Sequence, residues 1–116
     1  GGLLGRRRRL RRAIRLMTRQ TYWLLEYGWP ADHADAVREV YPTHKEHVDA
    51  LGRTGDLWMI GAVPEADGSE GAIAIFRSRD SAQQFAVEDG LFTQGLVTSS
   101  RIRPWSPLKF PSPDRE

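Results

Sequence analysis

Three short segments of this chain are apolar on both of the faces that a β-strand presents: TYWLLEYG (21–28), LWMIGAV (57–63) and AIAIF (72–76). Side chains alternate across a strand. Tyr22 and Leu24 therefore alternate with Trp23 and Leu25, Met59 and Val63 with Trp58 and Ile60, and Ala74 and Phe76 with Ile73 and Ile75. A sheet built from such strands has to cover both of its faces.

The segments between them supply one cover. WPADHADAVREV has turn character at Pro30 and a short helix from Asp32; YPTHKEHVDALGRTGD carries Pro42 near a helix start, and Gly52 and Gly55 mark its end. PEADGSEG is a polar, glycine-containing connection suited to joining two antiparallel strands. RDSAQQFAVED reads as a second helix, with Ser78 as N-cap and Asp80 in the first turn, and a last strand lies within LVTSSRIRPW. The order β-α-β-β-α-β specifies an α+β, ferredoxin-like sandwich, an antiparallel sheet with helices on one face. Two helices cover only one face. The other remains a large apolar surface, which predicts a homodimer through the open sheet face.

Charge separates the chain into parts. Residues 1–16 hold seven of the 17 basic side chains and none of the 15 acids, so the remaining hundred residues carry a net charge of −5. The expected division is a basic, arginine-rich leader (1–16), one domain (17–106) and a proline-rich tail (107–116). Like-charge crowding opposes a stable helix in the leader, which is expected to be disordered or not native. It reads as an extension upstream of a natural start at Met17. The alternatives are a basic arm for nucleic acid or anionic lipid and a mitochondrial transit peptide. The acidic body is a poor duplex-binding surface, so nucleic acid is not an expected partner. No apolar run approaches the roughly 20 residues that span a bilayer, and no membrane association is expected. The absence of cysteine excludes disulfides and thiolate chemistry and suits a cytoplasmic location.

Two polar residues interrupt inward stripes. Val48 and Leu51 follow His44 at i+4 and i+7, which puts His44 near the centre of its helix's apolar face, with His47 on the flank. Ala82, Phe85, Ala86 and Asp89 follow the same spacing, so Asp89 ends the second helix's inward stripe, at the unfavourable end of its dipole. A single inward histidine is commonly a core residue with its hydrogen bonds satisfied. Two helices on one sheet face, each supplying one such residue, point instead to a His–Asp pair, a general acid–base unit. No serine or cysteine nucleophile stands in a motif. His33, His44 and His47 lack metal-site spacing, and no glycine loop cradles phosphate, so no metal or cofactor is expected. Arg101 and Arg103 alternate on one strand face, where they either clamp an anionic substrate or serve as solvated or paired structural residues. Trp58 and Trp105 suit the core or a dimer surface better than a stacking platform.

From about Thr21 to Trp105 the chain resembles the YCII-related domain family, within the dimeric α+β barrel superfamily that includes muconolactone isomerase-like proteins. The likeness rests on YPTHKEHVDALGRTGDL, WMIGAV, SRDSAQQFAVED and DGLFTQGLVTSSRIRPW. Family members typically show a Pro-x-His helix start, an Asp-Pro-Phe turn leading to Gly-Leu, and a strand ending in Arg-Pro-Trp. The resemblance implies that His44 and Asp89 are the active-site pair, and that some members are small-molecule lyases, dehydrohalogenases or isomerases. One departure stands out: Gly90 and Leu91 replace the Pro and Phe after the aspartate, and glycine there is expected to loosen the aim of Asp89. The expected function is cofactor-independent proton transfer on a small carbonyl compound, with His44 as shuttle and Asp89 orienting it. The alternative is a non-catalytic small-ligand-binding or interaction domain of the same fold.

Overall fold

A computed structural model of the protein describes residue 2 and residues 5–9 and 20–111. Its folded unit runs from Tyr22 to Trp105. Strand β1 (Tyr22–Trp29) leads through a 3-10 turn (Ala31–His33) into helix α1 (Ala34–Thr54), followed by β2 (Leu57–Pro64) and β3 (Glu70–Phe76). Helix α2 (Arg79–Glu88), a single helical turn α3 (Gly90–Thr93) and β4 (Ser99–Trp105) complete it. Among the described residues the four strands form one sheet in the order β2-β3-β1-β4, with every pairing antiparallel. This is the ferredoxin-like arrangement that the element order specifies.

Register decides what faces the helices. Leu25 pairs with Ala74 and Ile102, and Ala74 pairs with Ile60, so these side chains share a face. That face packs against Val37 and Val48 of α1 and Ala82 and Phe85 of α2 in one buried cluster. The α1 residues Val37, His44 and Val48 recur at helical spacing and are the buried ones on that helix. Ser78 caps α2, its hydroxyl accepting from the Ser81 amide at 3.1 Å.

Three local features depart from the sequence reading. First, α1 is one continuous helix of 21 residues, and Pro42 lies inside it rather than near its start. The proline removes one amide and leaves the Arg38 carbonyl without an i+4 partner. Both residues are exposed, so water can take up that carbonyl. Second, a bulge between Leu57 and Met59 breaks the alternation in β2. Leu57 and Ile60 therefore face the helices, while Trp58 stacks on Tyr22 with ring centres 4.9 Å apart. Third, α2 stops at Glu88, and Asp89 opens a further turn of helix instead of closing the stripe.

The open face carries Glu26, Arg101 and Arg103 beside Met59, Val63, Ile73 and Trp105, all four of the latter exposed. No helix among the described residues is long and apolar enough to cross a membrane. Outside the folded unit, residues 5–9 are helical and Ser106–Pro111 has no regular secondary structure. The rest of the basic leader, the first residues of the expected domain from Met17, and the last five residues of the tail lie outside the described residues.

Gly90 is tight for a steric reason. A Cβ at this position would sit 3.0 Å from Val40 Cγ1 of α1, and the glycine φ is not positive. Gly90→Ala is therefore expected to cost about 1 kcal/mol through overpacking, without backbone strain. Thermal unfolding of the variant checks this; an unchanged Tm would mean that α1 has slack here.

Candidate active site

Asp89 is the polar centre of the helical layer. Its backbone, φ −65° and ψ 141°, leaves α2 and starts α3, and its carboxylate caps that turn by accepting the Leu91 amide at 3.1 Å. The carboxylate thus stands at the N-terminus of a helical turn, where amides and dipole favour negative charge. The cost inferred from its place at the end of α2 is offset locally. The aim of Asp89 is also secure: Gly90 is the first residue of helical α3, so its freedom does not loosen the turn.

Two histidines of α1 complete the site. His44 Nδ1 donates to Asp89 Oδ2 at 2.8 Å, and His47 Nδ1 donates to Asp89 Oδ1 at 2.9 Å. An ionised carboxylate only accepts, so in each neutral ring Nδ1 carries the hydrogen and Nε2 is the basic nitrogen. Asp89 is 1% exposed and His44 7%. Burial alone would raise the Asp89 carboxyl. The hydrogen bonds from His44 and His47, with the charge of His44 and the Leu91 amide, outweigh burial and hold it below the usual carboxylate range. Phe85 orients both rings: it stacks on His47 with centres 5.2 Å apart and meets His44 edge-on at 6.0 Å.

His44 lines a cavity of about 600 Å³ between α1 and the sheet. Tyr27, Trp29, Val37, Tyr41, Val48 and Ile60 supply much of its wall, with Arg38 and Lys45 from α1 also lining it. These two cations are already paired, Arg38 with Asp35 and Lys45 with both oxygens of Asp49 at 2.6 and 2.7 Å. A volume of this size suits a small molecule, and the mixture of aromatic walls and few polar groups is typical of ligand sites. Burial, and then the nearby Asp89 charge, push the Tyr27 phenol well above its ordinary range, so it stays a neutral O–H donor.

The sequence-derived residues divide accordingly. His44 and Asp89 meet. Arg101 and Arg103 do not join them. They lie on the opposite face of the sheet, where Arg101 Nε and Arg103 Nη2 donate to the two oxygens of Glu26 at 2.7 and 2.9 Å. Glu26 is held below the usual range first by the Arg101 hydrogen bond. His33 is engaged elsewhere, its Nδ1 donating to the Leu96 carbonyl at 2.9 Å. No group of three or more His, Asp or Glu among the described residues has the arrangement of a metal site. His47 and Tyr27 were missing from the sequence-derived site. For His47 the available signal was its spacing of three residues from His44, which places both rings on adjacent parts of one helix face. Tyr27 gave no signal beyond its place on the face of Leu25.

Known proteins bear on this geometry in two ways. The fold resembles that of a candidate antibiotic biosynthesis monooxygenase from Bacteriodes thetaiotaomicron, at TM-score 0.50 and 13% identity, over 78% of this chain and 91% of that one. It also resembles Rv0793 from Mycobacterium tuberculosis, at TM-score 0.50 and 13% identity, over 79% and 98% of the two chains. A mutant of SnoaB, a cofactor-independent oxygenase from Streptomyces nogalater, aligns at TM-score 0.46 and 16% identity, over 79% and 97%. At such identities the first two likenesses show the α+β fold alone. No curated protein matches the sequence. The model of the YCII-related domain, by contrast, matches residues 21–106, which include every element of the fold and the whole His44–Asp89–His47 cluster, and the chain belongs to the YCII-related domain family.

Proposed function

We propose that the protein is a small-molecule enzyme of the lyase or isomerase kind, in which His44 moves a proton and Asp89 orients and charge-balances it. The observation that carries this reading is the buried 2.8 Å bond from His44 Nδ1 to Asp89, made by a histidine that also lines the cavity. With Nδ1–H committed to the carboxylate, Nε2 is the nitrogen that can take a proton from carbon beside a carbonyl. The resulting imidazolium has Asp89 as its counter-charge, and Tyr27 is the neutral donor available to the developing oxyanion. The imidazole carries the proton itself, so the step needs no cofactor.

Proton exchange tests the reading whatever the natural substrate is. A panel of small carbonyl compounds, cyclic and aromatic-derived ones included, is incubated with the protein in D2O and followed by NMR. Deuterium entering at the carbon next to the carbonyl, faster than in buffer, is the expected result. Compounds that bind in the cavity without exchange would favour the non-catalytic ligand-binding reading of the same fold.

The proposal extends to assembly and place. A second copy is the natural cover for the open face, because Met59, Val63, Ile73 and Trp105 are exposed apolar groups that the strand register places on that one face. The cytoplasm suits a cysteine-free acidic domain. Ile73→Lys is expected to convert a dimer to monomer in sedimentation velocity. A wild-type domain that sediments as a monomer at micromolar concentration would remove the homodimer.

A further inference from the structure

We infer that His47 is a positioning residue, which anchors the second oxygen of Asp89 and thereby fixes the carboxylate, and through it the tautomer of His44. The inference rests on the acid–base reading of His44 and concerns a side chain outside the His–Asp pair itself.

The geometry separates three jobs among the groups around Asp89. His44 from α1 takes Oδ2 and also lines the cavity. The Leu91 amide from α3 takes Oδ2 as well, at 3.1 Å. The His47 ring, also from α1, takes Oδ1 at 2.9 Å. Burial, and after it the charge of Asp89, keeps the Tyr27 phenol of β1 neutral, so Tyr27 sets no charge against the carboxylate. The terminal torsion of a carboxylate has broad wells, so the two donors on Oδ2 leave a range of angles open about the Cβ–Cγ bond. A bond to Oδ1 from a third direction narrows that range from the other side of the carboxylate. His47 is the donor that does so.

Two further observations fit positioning and not direct catalysis. The His47 side chain is 28% exposed against 8% for His44, and His47 is absent from the cavity wall. It therefore reaches Asp89 from the solvent side and does not meet a ligand held beside His44. Its ring lies flat on Phe85, with only 13° between the planes, so the donor is itself held in orientation. A desolvated carboxylate oxygen left without a donor is costly, which gives the ring a reason to stay. The depressed Asp89 carboxyl agrees with this, since the His47 hydrogen bond is among its causes after burial and His44.

The test compares His47→Asn with His47→Gln and His47→Ala. The Asn amide nitrogen sits where Nδ1 does and can still donate to Oδ1, whereas the Gln amide nitrogen corresponds to Nε2 and points away. Nitrogen-15 shifts of the His44 ring report its tautomer, and carboxyl carbon-13 shifts report the acid titration of Asp89. Wild type and His47→Asn are expected to show a single Nδ1–H form of His44. In His47→Gln and His47→Ala that form gives way to a mixture, and Asp89 titrates at higher pH. On any compound that the wild type exchanges, those two variants lose kcat with KM little changed, and His47→Asn recovers it. If His47→Gln or His47→Ala keeps both the His44 tautomer and the Asp89 titration of the wild type, the inference is overturned. Neither spectroscopic readout needs a substrate. A protein without turnover whose His44 tautomer still depends on His47 would defeat the proposed function and leave the positioning role standing.

Discussion

His44→Asn is expected to lower kcat by roughly 10²–10⁴-fold, the usual contribution of a positioned acid–base group, while leaving the fold in place. The choice of asparagine follows from the geometry. Its amide nitrogen falls near the Nδ1 position, so it can still donate to Asp89 Oδ2, where His44 Nδ1 now lies at 2.8 Å. What the substitution removes is Nε2, the nitrogen that would carry the proton. The buried carboxylate keeps a partner and stability changes little. His44→Ala is a poorer test, because it empties a buried site and strips a hydrogen bond from Asp89 at the same time. Ligand affinity, read by calorimetry on a compound that the wild type exchanges, should be largely retained in His44→Asn. That combination, binding kept and exchange lost, separates proton transfer from simple binding. A His44→Asn protein that exchanges at the wild-type rate would remove His44 from the chemistry and favour the ligand-binding alternative.

How far the sequence revealed this site follows from the kind of signal each residue leaves. His44 was legible because it is a polar residue on an otherwise apolar helical stripe whose period fixes which way it points, and Asp89 because it continues the apolar spacing of α2, although that helix stops one residue before it. Gly52 and Gly55 gave the end of α1, and the alternating faces of β1 and β3 gave the sheet. The interior place of Pro42 was not legible, because a proline within a helical pattern ordinarily ends or begins a helix, and only packing along the whole of α1 overrides that preference. The bulge at Trp58 was hidden for a related reason: an extra residue in one strand is defined by its partner, not by its own sequence. Arg101 and Arg103 depended on register. Pairing Glu26 with Arg101 sends both guanidinium groups to the face away from α1, and one strand read alone does not specify its partner. Asp89 itself was half legible. Its partner was foreseen, but its capping of α3 was not, because GLFT carries too little periodicity to mark a helical turn.

Asp89→Ala is expected to destabilise the domain by about 2–4 kcal/mol near neutral pH, from the lost helix cap and the buried donors left without an acceptor. The carboxylate accepts three hydrogen bonds, from His44, His47 and the Leu91 amide, and its side chain is fully buried. The pH dependence has a definite sign. Burial works to raise the Asp89 carboxyl, the two histidine hydrogen bonds outweigh it, and the folded-state value lies below the unfolded one. A depressed carboxyl stabilises the fold fully above its unfolded pKa, and that contribution is lost as pH falls through the folded value. The stability difference between wild type and Asp89→Ala should therefore be constant near neutrality and shrink below about pH 4, where unfolded aspartate begins to protonate. Taking the difference matters, because Glu26 and Asp67 are also held low and contribute their own acid sensitivity, which cancels between two proteins that share them. Asp89→Asn resolves what remains. Its side-chain oxygen can still cap Leu91 but cannot accept from both imidazoles, so it should recover the cap's share, about 1 kcal/mol, and show no titration. Urea unfolding of the three proteins across the acid range measures all of this. A wild-type advantage that persists undiminished to the lowest pH at which the fold survives would mean that the ionised carboxylate is not what holds α1 to α3, and the acid–base reading would lose its anchor with it.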